Sequence, residues 1–166
     1  LMLPASSLNE MRRNAVEKLQ TLIIEKNTPV YSVTDFIPKL NSSYRKNNNK
    51  LSLYVSCTTL KQAEIADEYS DMLILPLDIC FECDNIDRRK IIAEPPRFIS
   101  DEAMIISELE KLKESGISHL LCVNYAYIET GKNLGFTLHG GFGLNICNSY
   151  SIEAAEKIGL SDITLS

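Results

Sequence analysis

The feature that most constrains the fold is a change of period at Leu51. From there to the end of the chain, short apolar runs alternate with stretches of helical spacing. LSLYVS (51–56) alternates as a strand does, and MLILP (72–76) is a continuous apolar run that suits a strand buried on both faces. HLLCV (119–123), the residues from Phe136, and SDITLS (161–166) read as further strands, with a short one at Pro96–Ile99. Between them, Thr59-x-x-Gln62 opens a helix to about Tyr69, and a short helix is predicted around Asn85–Ile91. Ser100-Asp101-Glu102 starts a helix carrying Ile105, Leu109 and Leu112, closed by Gly116. Tyr125–Leu134 and Ser149–Ile158 complete the set. Strands alternating with helices of 10–15 residues mean parallel strands joined by right-handed crossovers. The count is about six strands, whereas a closed barrel has eight and about 250 residues. The expected class is therefore α/β: a parallel β/α, barrel-like and incomplete domain with an N-terminal lead-in helix, completed elsewhere in a longer chain.

Residues 1–26 read as that lead-in helix, with a capping box in Ser7-Leu-Asn-Glu10 and with Leu8, Met11, Ala15, Leu19, Leu22 and Ile23 at helical spacing. Arg12 and Arg13 lie on its solvated face. Residues 27–50 hold Pro29, Pro38 and the run NSSYRKNNNK, the composition of a linker or flexible loop with local positive charge. Residues 51–166 form the partial barrel domain. A net charge of −5 argues against broad non-specific nucleic-acid binding, which rests on clustered Lys and Arg. No run approaches the ~20 apolar residues of a membrane span. Five cysteines, an odd number, read as reduced thiols and a cytoplasmic location.

Candidate chemistry concentrates at Phe136–Ser151, FTLHGGFGLNICNSYS, which reads as strand, glycine-loosened loop and helix start. His139, Asn145 and Asn148 are expected to crowd at a strand's carboxyl end, where β/α proteins build sites. Asn124, following HLLCV, would face the same mouth, so these four form a candidate polar ligand site. Asparagines also cap helices and turns, and that alternative stands beside the first. A thiol-protease reading would pair Cys147 with His139 as base. His119, at the opposite end of its strand, reads as structural. Cys80-x-x-Cys83 is a candidate metal or redox pair, but such sites take four ligands, and Glu82 beside the thiols raises their pKa. No G-x-S-x-G or H-E-x-x-H occurs, and G-G-x-G at 140–143 lacks the rest of a phosphate-binding pattern.

Three stretches carry a resemblance: LPASSLNEMRRNAVEKL (3–19), SCTTLKQAEIADEYSDMLILP (56–76) and, most specifically, LHGGFGLNICNSYSIEAAEKIGLSDITLS (138–166). Together they resemble the collagenase-like peptidase family of unknown catalytic type, family U-thirty-two. The resemblance covers most of 51–166 and the lead-in helix. It implies a parallel β/α barrel within a longer bacterial, cytoplasmic protein, and a peptidase activity without a settled catalytic set. It also implies a second line of function, in which members support oxygen-independent hydroxylation of RNA bases or a quinone precursor with an iron–sulfur cluster held by four cysteines. Residues 1–166 lack that cysteine-rich segment, so a cluster is expected only in the full-length protein. The leading expectation is a peptidase fragment, inactive alone. The alternatives are an accessory part of RNA-base hydroxylation and a non-catalytic scaffold. Expected partners are the rest of the parent chain, a peptide or RNA substrate, and a second copy through open sheet edges.

Overall fold

The computed structural model describes residues 4–27 and 51–166. The chain divides into two compact units, one holding the N-terminal helix and the other holding residues 51–166. Taken by itself, the first is α1 (Ala5–Asn27), a 23-residue helix. It begins before the expected capping box: Ser7 lies inside the first turn, and the Pro4 carbonyl accepts the Leu8 N–H at 3.3 Å. Proline suits that edge because it supplies a carbonyl while lacking a donor of its own. The linker expected over 27–50 lies outside the described residues from position 28, and Asn27 ends the helix.

The second unit is a curled half-barrel of six parallel strands with helices. In chain order it runs β1 (Tyr54–Ser56), α2 (Leu60–Asp67), β2 (Met72–Pro76), α3 (Leu77–Glu82) and β3 (Ile91–Glu94). It continues with α4 (Glu102–Glu114), β4 (His119–Cys122), α5 (Ala126–Asn133), β5 (Thr137–Gly140), α6 (Ser149–Ile158) and β6 (Asp162–Ile163). Strand order in the sheet equals chain order, so each strand pairs with the next and β1 and β6 are the two edges.

Two expectations are corrected. The third strand is Ile91–Glu94 rather than Pro96–Ile99, because consecutive Pro95 and Pro96 offer no N–H to a ladder while IIAE pairs with both β2 and β4. The helix expected around Asn85–Ile91 is instead α3, which begins at Leu77 and is followed by a 3-10 turn at Arg88–Lys90 whose Asp87 cap accepts from Arg89 N–H. The six residues of α3 are too few to display a helical period.

The helices start where local chemistry directs. Thr59 caps α2 through Gln62 N–H, and the Gln62 side chain returns to Thr58 N–H at 3.0 Å. Asp101 caps α4 through Met104 N–H, and Gly116, with φ of 101°, follows its end. Asn148 and Ser151 form a reciprocal capping box at the start of α6.

Alternate residues of each strand point to opposite faces. One set, including Leu73, Leu75, Ile91, Ala93, Leu120, Cys122 and Leu138, joins the core with Ala63, Leu109, Leu112 and Tyr127 of the helices. Gly131 of α5 fits so closely over Leu120 and Leu138 that a Cβ there would lie 2.5–2.8 Å from their methyls. The intervening residues, among them Tyr54, His119, Leu121, His139 and Asp162, therefore line the opposite, concave face. Among the described residues no helix is long and apolar enough to cross a membrane.

Candidate functional site

The concave face carries a run of hydrogen-bonded side chains drawn from both edges and the middle of the sheet. The Asp162 carboxylate of β6 meets His139 Nδ1 at 2.8 Å. The other ring nitrogen of His139, Nε2, lies 2.9 Å from His119 Nδ1 on the neighbouring strand. From the far edge, the Tyr54 hydroxyl of β1 donates to Asp162 at 3.3 Å, and its ring stands edge-on to His139 with centroids 6.1 Å apart. Five inter-strand spacings of about 4.8 Å would hold flat edges roughly 24 Å apart. A Tyr–Asp contact between β1 and β6 therefore requires the sheet to curl, and the hydrogen bond records how far it does.

His139 is buried, whereas the side chains of Tyr54 and Asp162 stay close to half exposed. Burial lowers the His119 pKa, helped by the His139 ring and by Lys113 and opposed by Asp162, which favours a neutral imidazole. The Tyr54 pKa is raised, first by burial and then by the charge and hydrogen bond of Asp162. Glu94, which ends β3, is raised by burial.

A second group of contacts knits the loops at the carboxyl ends of β3, β4 and β5. The Asn124 amide donates to the Arg97 carbonyl at 2.8 Å and its oxygen accepts Ala126 N–H. The Tyr125 hydroxyl donates to the Leu144 carbonyl at 3.1 Å, and the buried Tyr127 hydroxyl donates to that of Pro96 at 2.7 Å. Gly143 sits so near the end of β4 that only a hydrogen fits between its Cα and the Val123 carbonyl. Around this stitching Phe98, Tyr125 and Phe142 are 85%, 62% and 63% exposed, one aromatic ring from each of the three loops. Arg97 lies beside Gly143 in the same rim.

The structure separates the residues that the sequence groups together. His139 faces its two neighbours on the concave side of β5 and does not join Asn124, Asn145 and Asn148 in the loops. Asn145 ends the 3-10 turn Phe142–Leu144 in the left-handed region at φ 53°, and Asn148 caps α6, so both perform backbone duties, as does Asn124. Cys147 is exposed, its N–H bonded to Ser151. Both His139 ring nitrogens are engaged elsewhere, so they supply no base to that thiol. Cys80 and Cys83 are buried and donate to the carbonyls of Leu75 and Ile79. Burial pushes Cys80 up to about 12 and Cys83 in the same direction, so both remain thiols at neutral pH. Among the described residues no three His, Cys, Asp or Glu side chains gather as metal ligands.

Tyr54 and Asp162, which sequence reasoning did not single out, and His119, which it read as structural, join His139 in this network. Their only advance signal is that the chain has just two histidines and that both begin or interrupt apolar strands. No protein-family profile, curated protein or solved structure matches the chain.

Proposed function

We propose that this chain serves polypeptide hydrolysis, as a β/α-barrel segment of a collagenase-like peptidase. The observation that carries the reading is the fold of 138–166. The stretch bearing the most specific resemblance forms one strand–loop–helix–strand unit, β5 to β6, closing one side of a parallel half-barrel. The rim supports polypeptide as the ligand. Phe98, Tyr125 and Phe142 offer exposed apolar faces for side chains, and the Arg97 guanidinium offers donors for peptide carbonyls or carboxylates.

The test is incubation of the full-length protein with gelatin and with casein, reading new α-amines. The expected result is their progressive release. Phe98→Ser and Phe142→Ser, both exposed, are expected to raise KM about fivefold each with kcat within twofold, the loss of ~1 kcal/mol of apolar contact made equally in ground and transition states. Absence of amine release from both substrates would overturn the reading.

A further inference from the structure

The chain's two histidines stand end to end behind one carboxylate, and which ring donates to the other depends on the tautomer; with Asp162 ionised and His139 neutral a single arrangement follows. An ionised carboxylate only accepts, so His139 Nδ1 carries the proton it shares with Asp162. In the neutral ring Nε2 is then bare and accepts from His119 Nδ1–H. His119 in turn keeps a bare Nε2, for which the described residues provide no partner. That nitrogen belongs to a half-buried ring on the concave face, the side of the sheet away from the helix-packed core.

We propose that Asp162, His139 and His119 form a proton relay for hydrolysis of a carbonyl substrate, with His119 Nε2 as the general base. The substrate is polypeptide under the preceding reading, on which this inference rests for that identity alone. In the first step a water oxygen bonds to the scissile carbonyl carbon, and the carbonyl π pair moves onto its oxygen. The water's proton passes to His119 Nε2, while His119 Nδ1–H passes to His139 Nε2. His139 is then an imidazolium held by Asp162, one charge gained for the one negative charge formed on the substrate. In the second step the tetrahedral oxyanion re-forms its carbonyl and the C–N bond breaks. The proton returns through His139 and His119 to the departing nitrogen, giving an acid and an amine from peptide and water. His119 is the catalytic residue; His139 and Asp162 are positioning residues that hold its tautomer and share its charge.

Full-length protein is tested on casein and on p-nitrophenyl acetate, together with histidine ¹⁵N NMR. The wild type is expected to hydrolyse the ester and to show both rings protonated at Nδ1. His119→Gln is expected to lose at least about 10²-fold in kcat, the lower end for a general base, with an unchanged far-ultraviolet dichroism spectrum. Asp162→Asn leaves His119 in place. Its amide donates to His139 Nδ1 and reverses the chain, placing a proton on His119 Nε2; a comparable loss is expected, with that tautomer change visible in the spectrum. The groups that set the pH profile are His139, Asp162 and Lys113 around His119, with Tyr54 beyond them. Ester hydrolysis that depends on His119 without casein cleavage would sustain the relay and defeat the peptidase reading. Three results would each overturn the relay: no hydrolysis of either substrate, His119→Gln within threefold of wild type, or a wild-type His119 protonated at Nε2.

Discussion

Replacing Gly143 by alanine tests the loop geometry at the carboxyl ends of the strands with one methyl group. A Cβ at Gly143 would lie 2.1 Å from the Val123 carbonyl oxygen and 3.2 Å from its carbon. An ordinary carbon–oxygen approach is about 3.3 Å or more, so loop and strand end must part by roughly 1.2 Å. The obstacle is backbone, which cannot swing aside as a side chain would. Gly143 is not among the positive-φ glycines, which are Gly116, Gly135 and Gly159, so the cost is steric rather than conformational. Parting the two segments strains the buried Leu144 contact and the Tyr125–Leu144 hydrogen bond. Overpacking costs about 1–3 kcal/mol and a lost neutral hydrogen bond about 0.5–1.5. Reduced freedom of the unfolded alanine chain offsets about 0.4–1 of that. The net expectation is a loss of about 0.5–4 kcal/mol, centred on ~2. For that central value, with a urea slope of about 1.5 kcal/mol per M for a domain of this size, the midpoint should fall by roughly 1–2 M. Urea titration followed by far-ultraviolet dichroism measures it. A midpoint equal to or above that of wild type would refute the close approach and, with it, the stitched rim.

Three further outcomes follow from other parts of the half-barrel. With five cysteines, four buried and Cys147 exposed, a disulfide exchange reagent at pH 8 should titrate one thiol rapidly and the other four only on unfolding. Two or more fast thiols would contradict the buried Cys80–Cys83 pair. Asn148→Ala removes the side-chain half of the α6 capping box and should cost about 1 kcal/mol by urea titration; Asn148→Asp should recover most of it. His119 has a folded pKa below its unfolded value, so its contribution to stability is present above about pH 6.5 and is lost as pH falls through the folded value. The stability difference between wild type and His119→Gln should therefore shrink between pH 7 and pH 5. A difference that grows on acidification would mean the ring is held as an imidazolium.

The parts of the fold legible in the sequence are those written by adjacent residues. Met72–Pro76 is readable because five apolar residues end in a proline, and Ser149–Ile158 because Asn148 and Gly159 bracket a periodic run. The parallel sheet follows from the alternation itself. Ile91–Glu94 is hidden because Arg88, Arg89 and Lys90 precede it without a break, so a strand of four residues merges with a charged turn. Lys90 settles its own side of that boundary by an ion pair to Asp67 at 2.6 Å, a contact 23 residues distant that no local pattern announces.

The concave network is hidden for a deeper reason. His119 and His139 meet only because β4 and β5 pair with Leu121 opposite His139, one step along the concave face from His119. Shifting that register by one residue would turn His139 toward the helices and separate the rings. Position along the chain puts His119 at the end of its strand remote from the loops, which by itself suggests a structural residue. Curvature adds what position along the chain does not show: the bend that lets Tyr54 reach Asp162 across the whole sheet also brings side chains from four strands into one polar group. Such a group is costly inside a barrel unless every donor finds an acceptor. Here the Tyr54 hydroxyl and the His139 ring both meet the Asp162 carboxylate and the two imidazoles meet each other, so each polar side chain of the series has a partner and His119 stands at its end.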